Sequence, residues 1–268
     1  MSKANILEQD SVMVKRIKAA VEISIVFFGI FLFTWTLFSP DCLHLVERHR
    51  IEIISLFAFT LLYLAYISPC LIFKDTFAIR GLGTCNSLFI RTDNLKSALR
   101  GYGAITIIGA TVIVGATFLF RPAYLDNINW NAFFLKLIFY ISSALIQQLL
   151  FIGWLLVRLR IILQDDDLDQ TGNKRLQVSA VAAIMAFLLH APNMAVMCIS
   201  LVVGFAFFWV SYATPNLFLA VSCHAILGTL LHRIAGVQVK FGPHYMEKDF
   251  HFTRALFPVL KQIIGNLF

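Results

Sequence analysis

AFFLKLIFYISSALIQQLLFIGWLLV, residues 132–157, carries a single charged side chain, Lys136, and its one strongly polar pair, Gln147-Gln148, falls near the middle. At 1.5 Å per residue this run makes a helix of about 39 Å, enough to cross roughly 30 Å of hydrocarbon. Working outward, six more apolar runs of similar character stand out: Val21 to Phe38, Ile51 to Phe73, Tyr102 to Phe120, Leu176 to His190, Ala195 to Ala213 and Leu217 to about Val237. The fifth and sixth form a pair around the short break Ala191-Pro192-Asn193. Phe38-Ser39-Pro40-Asp41 is no small-x-small cleavage site, so the first run reads as a retained helix.

Composition agrees. The chain has 268 residues, 59% hydrophobic and only 14% charged, with a mean hydropathy of +0.79, whereas soluble domains carry about 25% charged residues. A soluble enzyme, a disulfide-stapled secreted domain and a disordered tail are excluded. The 26 Phe and 14 Gly suit lipid-facing and close-packed helices. The net charge of +7 is spread among loops, which argues against nucleic acid and for topology and contact with anionic headgroups. The expected fold is all-α, a polytopic bundle of seven or eight transmembrane helices.

Basic residues cluster in the N-terminal arm (Lys15, Arg16, Lys18), between the second and third runs (Lys74, Arg80, Arg91, Lys96, Arg100) and after the fourth (Arg158, Arg160, Lys174, Arg175). All three belong on the cytoplasmic side in one alternating assignment. The domains expected are a basic cytoplasmic arm at 1–20, a transmembrane domain at 21–237 and a tail at 238–268. The tail mixes Arg254 and Lys261 with apolar residues and reads as an interfacial helix, a re-entrant segment or an eighth span. The acidic loop from Asp165 to Gly172 has Gln170 at the sixth place and Leu176 at the twelfth, so it fails the calcium-loop pattern. The five cysteines show no CxxC and no zinc spacing.

Polar groups at membrane depth are costly and point to function. Here they are Gln147, Gln148, His190 and His224, with His232 nearer an end. His224, Gly228 and His232 stand at i, i+4 and i+8 and share a helix face. Gln147 and Gln148 point about 100° apart. As plain structure, the glutamines would tie helices together by hydrogen bonds of about 1 kcal/mol each, His190 would sit beside a turn, and His232 with Arg233 would meet headgroups. Ser222, two residues from His224, lacks the Gly-x-Ser-Gly of serine intramembrane proteases.

The three late segments resemble the motifs of the CAAX-protease and bacteriocin-processing family (CPBP, or Abi) of intramembrane proteases. Gln147-Gln148-Leu149-Leu150-Phe151-Ile152-Gly153 resembles its Glu-Glu-x-x-x-Arg, Ala186-Phe187-Leu188-Leu189-His190 its Phe-x-x-x-His, and His224-Ala225-Ile226-Leu227-Gly228 its His-x-x-x-Asn. The likeness covers about 102–237. It implies a cavity lined by Gln147, Gln148, Phe151, His190 and His224, in which family members activate water with the first-motif glutamate, helped by the histidines and the asparagine.

This chain departs from the pattern at Gln147, Gln148, Ile152, Ala186 and Gly228. A general base must hold a proton with a pKa near the working pH, and a carboxamide has none. No Asp or Glu stands between Asn127 and Gln164, or between Gln170 and Met246, to replace it. The expectation is a degenerate member without cofactor or metal, with degenerate motif positions Gln147, Gln148, His190, His224 and Gly228, whose cavity of Gln147, Gln148, Phe151, His190 and His224 binds a membrane protein, a peptide or a lipid. The alternative is an active endopeptidase of the family that cleaves a membrane-anchored or prenylated peptide. A transporter would show charges or broken helices along a path, which these segments lack. The expected location is a bacterial inner membrane, with the N-terminus in the cytoplasm.

Overall fold

The computed structural model describes residues 3–38, 43–73, 91–126, 128–163, 172–191 and 193–237. The loop 74–90, most of the acidic loop (165–171) and the tail 238–268 lie outside the described residues, together with the expectations that fall on them. All regular structure among the described residues is helical.

The helices are α1 (Lys3–Phe38), α2 (Leu43–Arg48), α3 (Arg50–Leu62), α4 (Leu95–Phe120), α5 (Ala123–Asp126), α6 (Trp130–Gln148), α7 (Leu156–Ile162), α8 (Gly172–Leu189), α9 (Met194–Ala213) and α10 (Leu217–Arg233). Two π-helical stretches continue them, π1 (Tyr63–Ile72) after α3 and π2 (Leu149–Leu155) between α6 and α7. Pro69 lies inside π1; it has no N–H to give to the i→i−4 ladder, and the wider i→i+5 pattern takes over. π1 and π2 pack on each other.

Four segments are long and apolar enough to cross a bilayer: Ile51–Ser68, Leu95–Phe120, Trp130–Ile162 and Met194–Ala213. α10 is a shorter apolar helix. The runs expected at 21–38 and 176–190 are both helical, inside α1 and α8. α1 also takes in the basic arm without a break, because no Gly or Pro interrupts it before Gly29. α4 begins at Leu95 rather than Tyr102.

One basic cluster needs correction. Arg158 and Arg160 are not loop charges; they sit in α7, fully buried and 5% exposed respectively. Arg158 Nε donates to Glu22 Oε2 at 2.5 Å, its Nη2 donates to Ser68, and Ser68 donates to the other Glu22 oxygen. The guanidinium also lies over the Phe73 ring, 3.8 Å from its centre. Arg160 lies over Tyr212 at 4.5 Å, and Arg175 over Trp209 at 4.1 Å. Arg16 Nε donates to the Ile162 carbonyl at 2.7 Å, which satisfies a carbonyl at the C-terminal end of α7. These contacts join α1 and π1 to the core.

α10 occupies the centre, against α6 on one side and α4 on another, and it buries Leu217, Ala220, Val221, Cys223, Ala225, Leu227, Gly228 and Thr229. Small residues permit this. A Cβ at Gly109 of α4 would come within 2.8 Å of Leu227 Cδ2, closer than packed carbon atoms tolerate. Asn216 starts α10: its Oδ1 accepts from Leu219 N at 3.2 Å, and its Nδ2 donates to the Arg91 carbonyl at 3.0 Å and to Asn94 Oδ1 at 3.1 Å. Asn94 in turn donates to the Pro215 carbonyl at 2.9 Å. The turn at 215–216 is thereby tied to the start of α4.

Candidate functional site

α6 and α10 pack side by side and bring their polar residues together. Gln148 at the end of α6 is 5% exposed, and its side-chain Nε2 stands 2.6 Å from Nδ1 of His224. With the amide donating, the ring is neutral and its remaining proton sits on Nε2. The opposite tautomer would be met as well by the amide oxygen, because a carboxamide can either donate or accept. A carboxylate could only accept, and would draw a proton onto the ring.

Two aromatic rings hold the imidazole. Tyr140 of α6 meets His224 edge-on at 5.9 Å between ring centres, and Phe207 of α9 does so at 6.2 Å. Phe151, in π2, is 7% exposed and packs on Phe208 at 5.8 Å, one step behind the pair. His190 stands at the end of α8, where its Nδ1 bonds the Ala186 carbonyl at 2.7 Å. It lies within electrostatic range of His224.

Gln147 faces elsewhere, as a 100° step along the helix requires. Its Nε2 donates to Ser143 Oγ at 3.1 Å, on the face of α6 that also carries Tyr140. The glutamines are therefore divided, Gln148 to the histidine and Gln147 to a Tyr140–Ser143 stripe on its own helix. Gly228 lies buried one turn beyond His224. A Cβ there would overlap the Tyr140 ring, with Cζ at 2.8 Å and the hydroxyl oxygen at 2.9 Å. The place where the resembling family keeps an asparagine side chain is filled by this ring.

Gln148 and His224 are in contact, His190 is near them, and Gln147 and Gly228 flank the pair through Tyr140. Among the described residues no three His, Cys, Asp or Glu side chains come together in a way that could hold a metal ion. Ser143 is expected from the sequence to hydrogen-bond within or between helices; Tyr140 and Phe207 are not singled out by it. For Tyr140 a signal existed, since residues 140, 143 and 147 share one face of a 3.6-residue helix. Nothing comparable marks Phe207.

Residues 129–230 match the family model described as type II CAAX prenyl endopeptidase Rce1-like, less than half of the chain and consistent with the CPBP family. Against curated proteins and against solved structures the chain finds no match. With its apolar helices, the protein is an integral membrane protein resembling CAAX proteases.

Proposed function

Because residues 129–230 are Rce1-like, we propose that the protein is a non-catalytic relative of these endopeptidases that uses the inherited site to bind a membrane-anchored peptide or a lipid-modified chain end. One observation carries this reading: the carboxamide of Gln148 stands 2.6 Å from His224, where proteolysis would call for a carboxylate. Hydrolysis of an amide needs a group that takes a proton from water, and loss of such a base typically costs 10²–10⁴-fold in rate. The neutral pair can still present a donor or an acceptor to a carbonyl or an amide, which suits recognition. The half-buried flank formed by Tyr140, Ser143 and Gln147 gives polar contacts beside an apolar wall, the composition that an amphiphilic chain end requires.

Residues 21–237 form the functional unit in this reading, within a bacterial inner membrane and with Lys15, Arg16 and Lys18 at the cytoplasmic face. The test is a farnesylated peptide in liposomes that hold the full-length protein. Wild type should retain the peptide uncleaved, and a Gln148→Leu, His224→Leu double variant should lose it. Cleavage of the peptide that disappears in His224→Ala would overturn the proposal in favour of an active endopeptidase.

A further inference from the structure

Tyr140 is held by two partners that meet at one ring. Gly228 supplies a notch that no larger residue leaves open, and the Lys136 ammonium stands 5.3 Å from the ring centre on the preceding turn. An ammonium near an aromatic face is attracted to its quadrupole. The same ring packs against His224, 5.9 Å between centres.

Exposure sorts these groups. Gln148 and Gly228 are buried, while His224, Tyr140, Ser143 and Gln147 are each partly exposed. Tyr140 therefore stands where the α6–α10 seam opens, between the surroundings and the notch beside His224. Its neighbours in that seam are otherwise apolar: Ala144, Val221, Ala225 and Leu137. If the ring swung away, a ring-sized gap would open directly against the imidazole, walled by aliphatic side chains and ending at Gly228.

We propose that Tyr140 is the specificity-determining residue of the His224 site: seated on Gly228, its ring limits the bulk of the chain that can lie beside the imidazole. This rests on the binding function proposed above and deepens it by fixing the ligand's shape, a slim lipid-like chain rather than a bulky aromatic one.

The experiment uses the full chain in liposomes with two farnesyl photoprobes, one ending in a slim diazirine and the other in a benzophenone. Labelling is read by mass spectrometry on the 217–233 segment. Wild type should be labelled by the diazirine and poorly by the benzophenone. Tyr140→Ala should raise benzophenone labelling by about tenfold, the scale at which a hydrophobic pocket discriminates by size. Tyr140→Phe should keep wild-type size selection because the ring remains, and Gly228→Ala should move towards Tyr140→Ala because it ejects the ring without deleting it. Monodisperse elution of each variant shows that it is folded.

A merely structural tyrosine would change labelling by both probes together. Equal labelling by the two probes in wild type, unchanged in Tyr140→Ala, would overturn the gate while leaving the binding function standing. Wild type labelled by neither probe, with Tyr140→Ala labelled by both, would be that structural signature and would overturn both the size selection and the binding function. Absence of labelling in all the variants would overturn the gate.

Discussion

Replacing Glu22 by Gln tests the joint between α1 and the Rce1-like segment. The substitution keeps the shape and leaves an acceptor for Ser68, but it removes the only charge that balances Arg158 among the described residues. Arg158 is fully buried and the Glu22 side chain is 10% exposed, so solvent cannot take over the lost interaction. Removing one partner of a buried pair costs about 3–5 kcal/mol, and Arg158→Leu should cost a similar amount. The double variant Glu22→Leu, Arg158→Leu should behave differently. Arg158 Nη1 has no hydrogen-bond partner among the described residues, so the pair is incompletely satisfied even when intact. Apolar replacement of both members of such a pair is often neutral or stabilising by about 1–4 kcal/mol. The assay is reversible unfolding in mixed micelles of dodecyl maltoside and SDS, followed by the fluorescence of tryptophans, including the fully buried Trp154 one turn from Arg158. Two single variants each costing less than about 1 kcal/mol, the range of a solvent-exposed pair, would refute the reasoning and leave α1 docked by its apolar face alone.

Three further outcomes follow from the same geometry. Asn216→Ala removes the α10 cap and leaves buried backbone groups unpaired, and should cost about 2–4 kcal/mol in the same unfolding assay, from a cap of about 1 and an orphaned group of about 1–3. Tyr102→Phe deletes the buried 2.7 Å bond to Ser211; because the Ser211 hydroxyl still donates to the Phe207 carbonyl, the loss should be only about 1 kcal/mol. Asp93 lies outside the spans, and the hydrogen bonds from Arg91 hold its carboxyl below the usual 3.8. A depressed carboxylate stabilises the fold above the unfolded value and loses that contribution as the pH falls through the folded value; in Arg91→Ala the Asp93 midpoint, followed by carboxyl NMR, should rise towards 3.8.

The helices were legible because apolar runs of membrane length leave few alternatives. The split between Gln147 and Gln148 was legible too, since it follows from helical pitch alone. Other features depend on which helices become neighbours. Gly228 reads as a missing side chain in the one-dimensional pattern, whereas its role as a notch becomes visible only once α6 lies against α10. Arg158 was counted among loop charges because it follows directly on an apolar run. Its pairing with Glu22 spans 136 residues, and no local periodicity carries that information. Asn216 shows the intermediate case: Asn after Pro before an apolar run signals a helix start, but its bonds to Arg91 and Asn94 come from tertiary packing.

The distance in sequence between Glu22 and Arg158 also sets a clock on biogenesis. At about 5–20 residues per second, synthesis of the intervening 136 residues takes about 7–27 s. Throughout that interval the first helix carries a carboxylate whose guanidinium does not yet exist. Its stable seat in the bundle is therefore assembled after insertion, when the fourth apolar run delivers Arg158 beside Ser68. A nascent chain that stops short of α7 would hold α1 to π1 by the Ser68–Glu22 bond with the carboxylate's charge unbalanced, and one that passes it would complete the joint with Arg158.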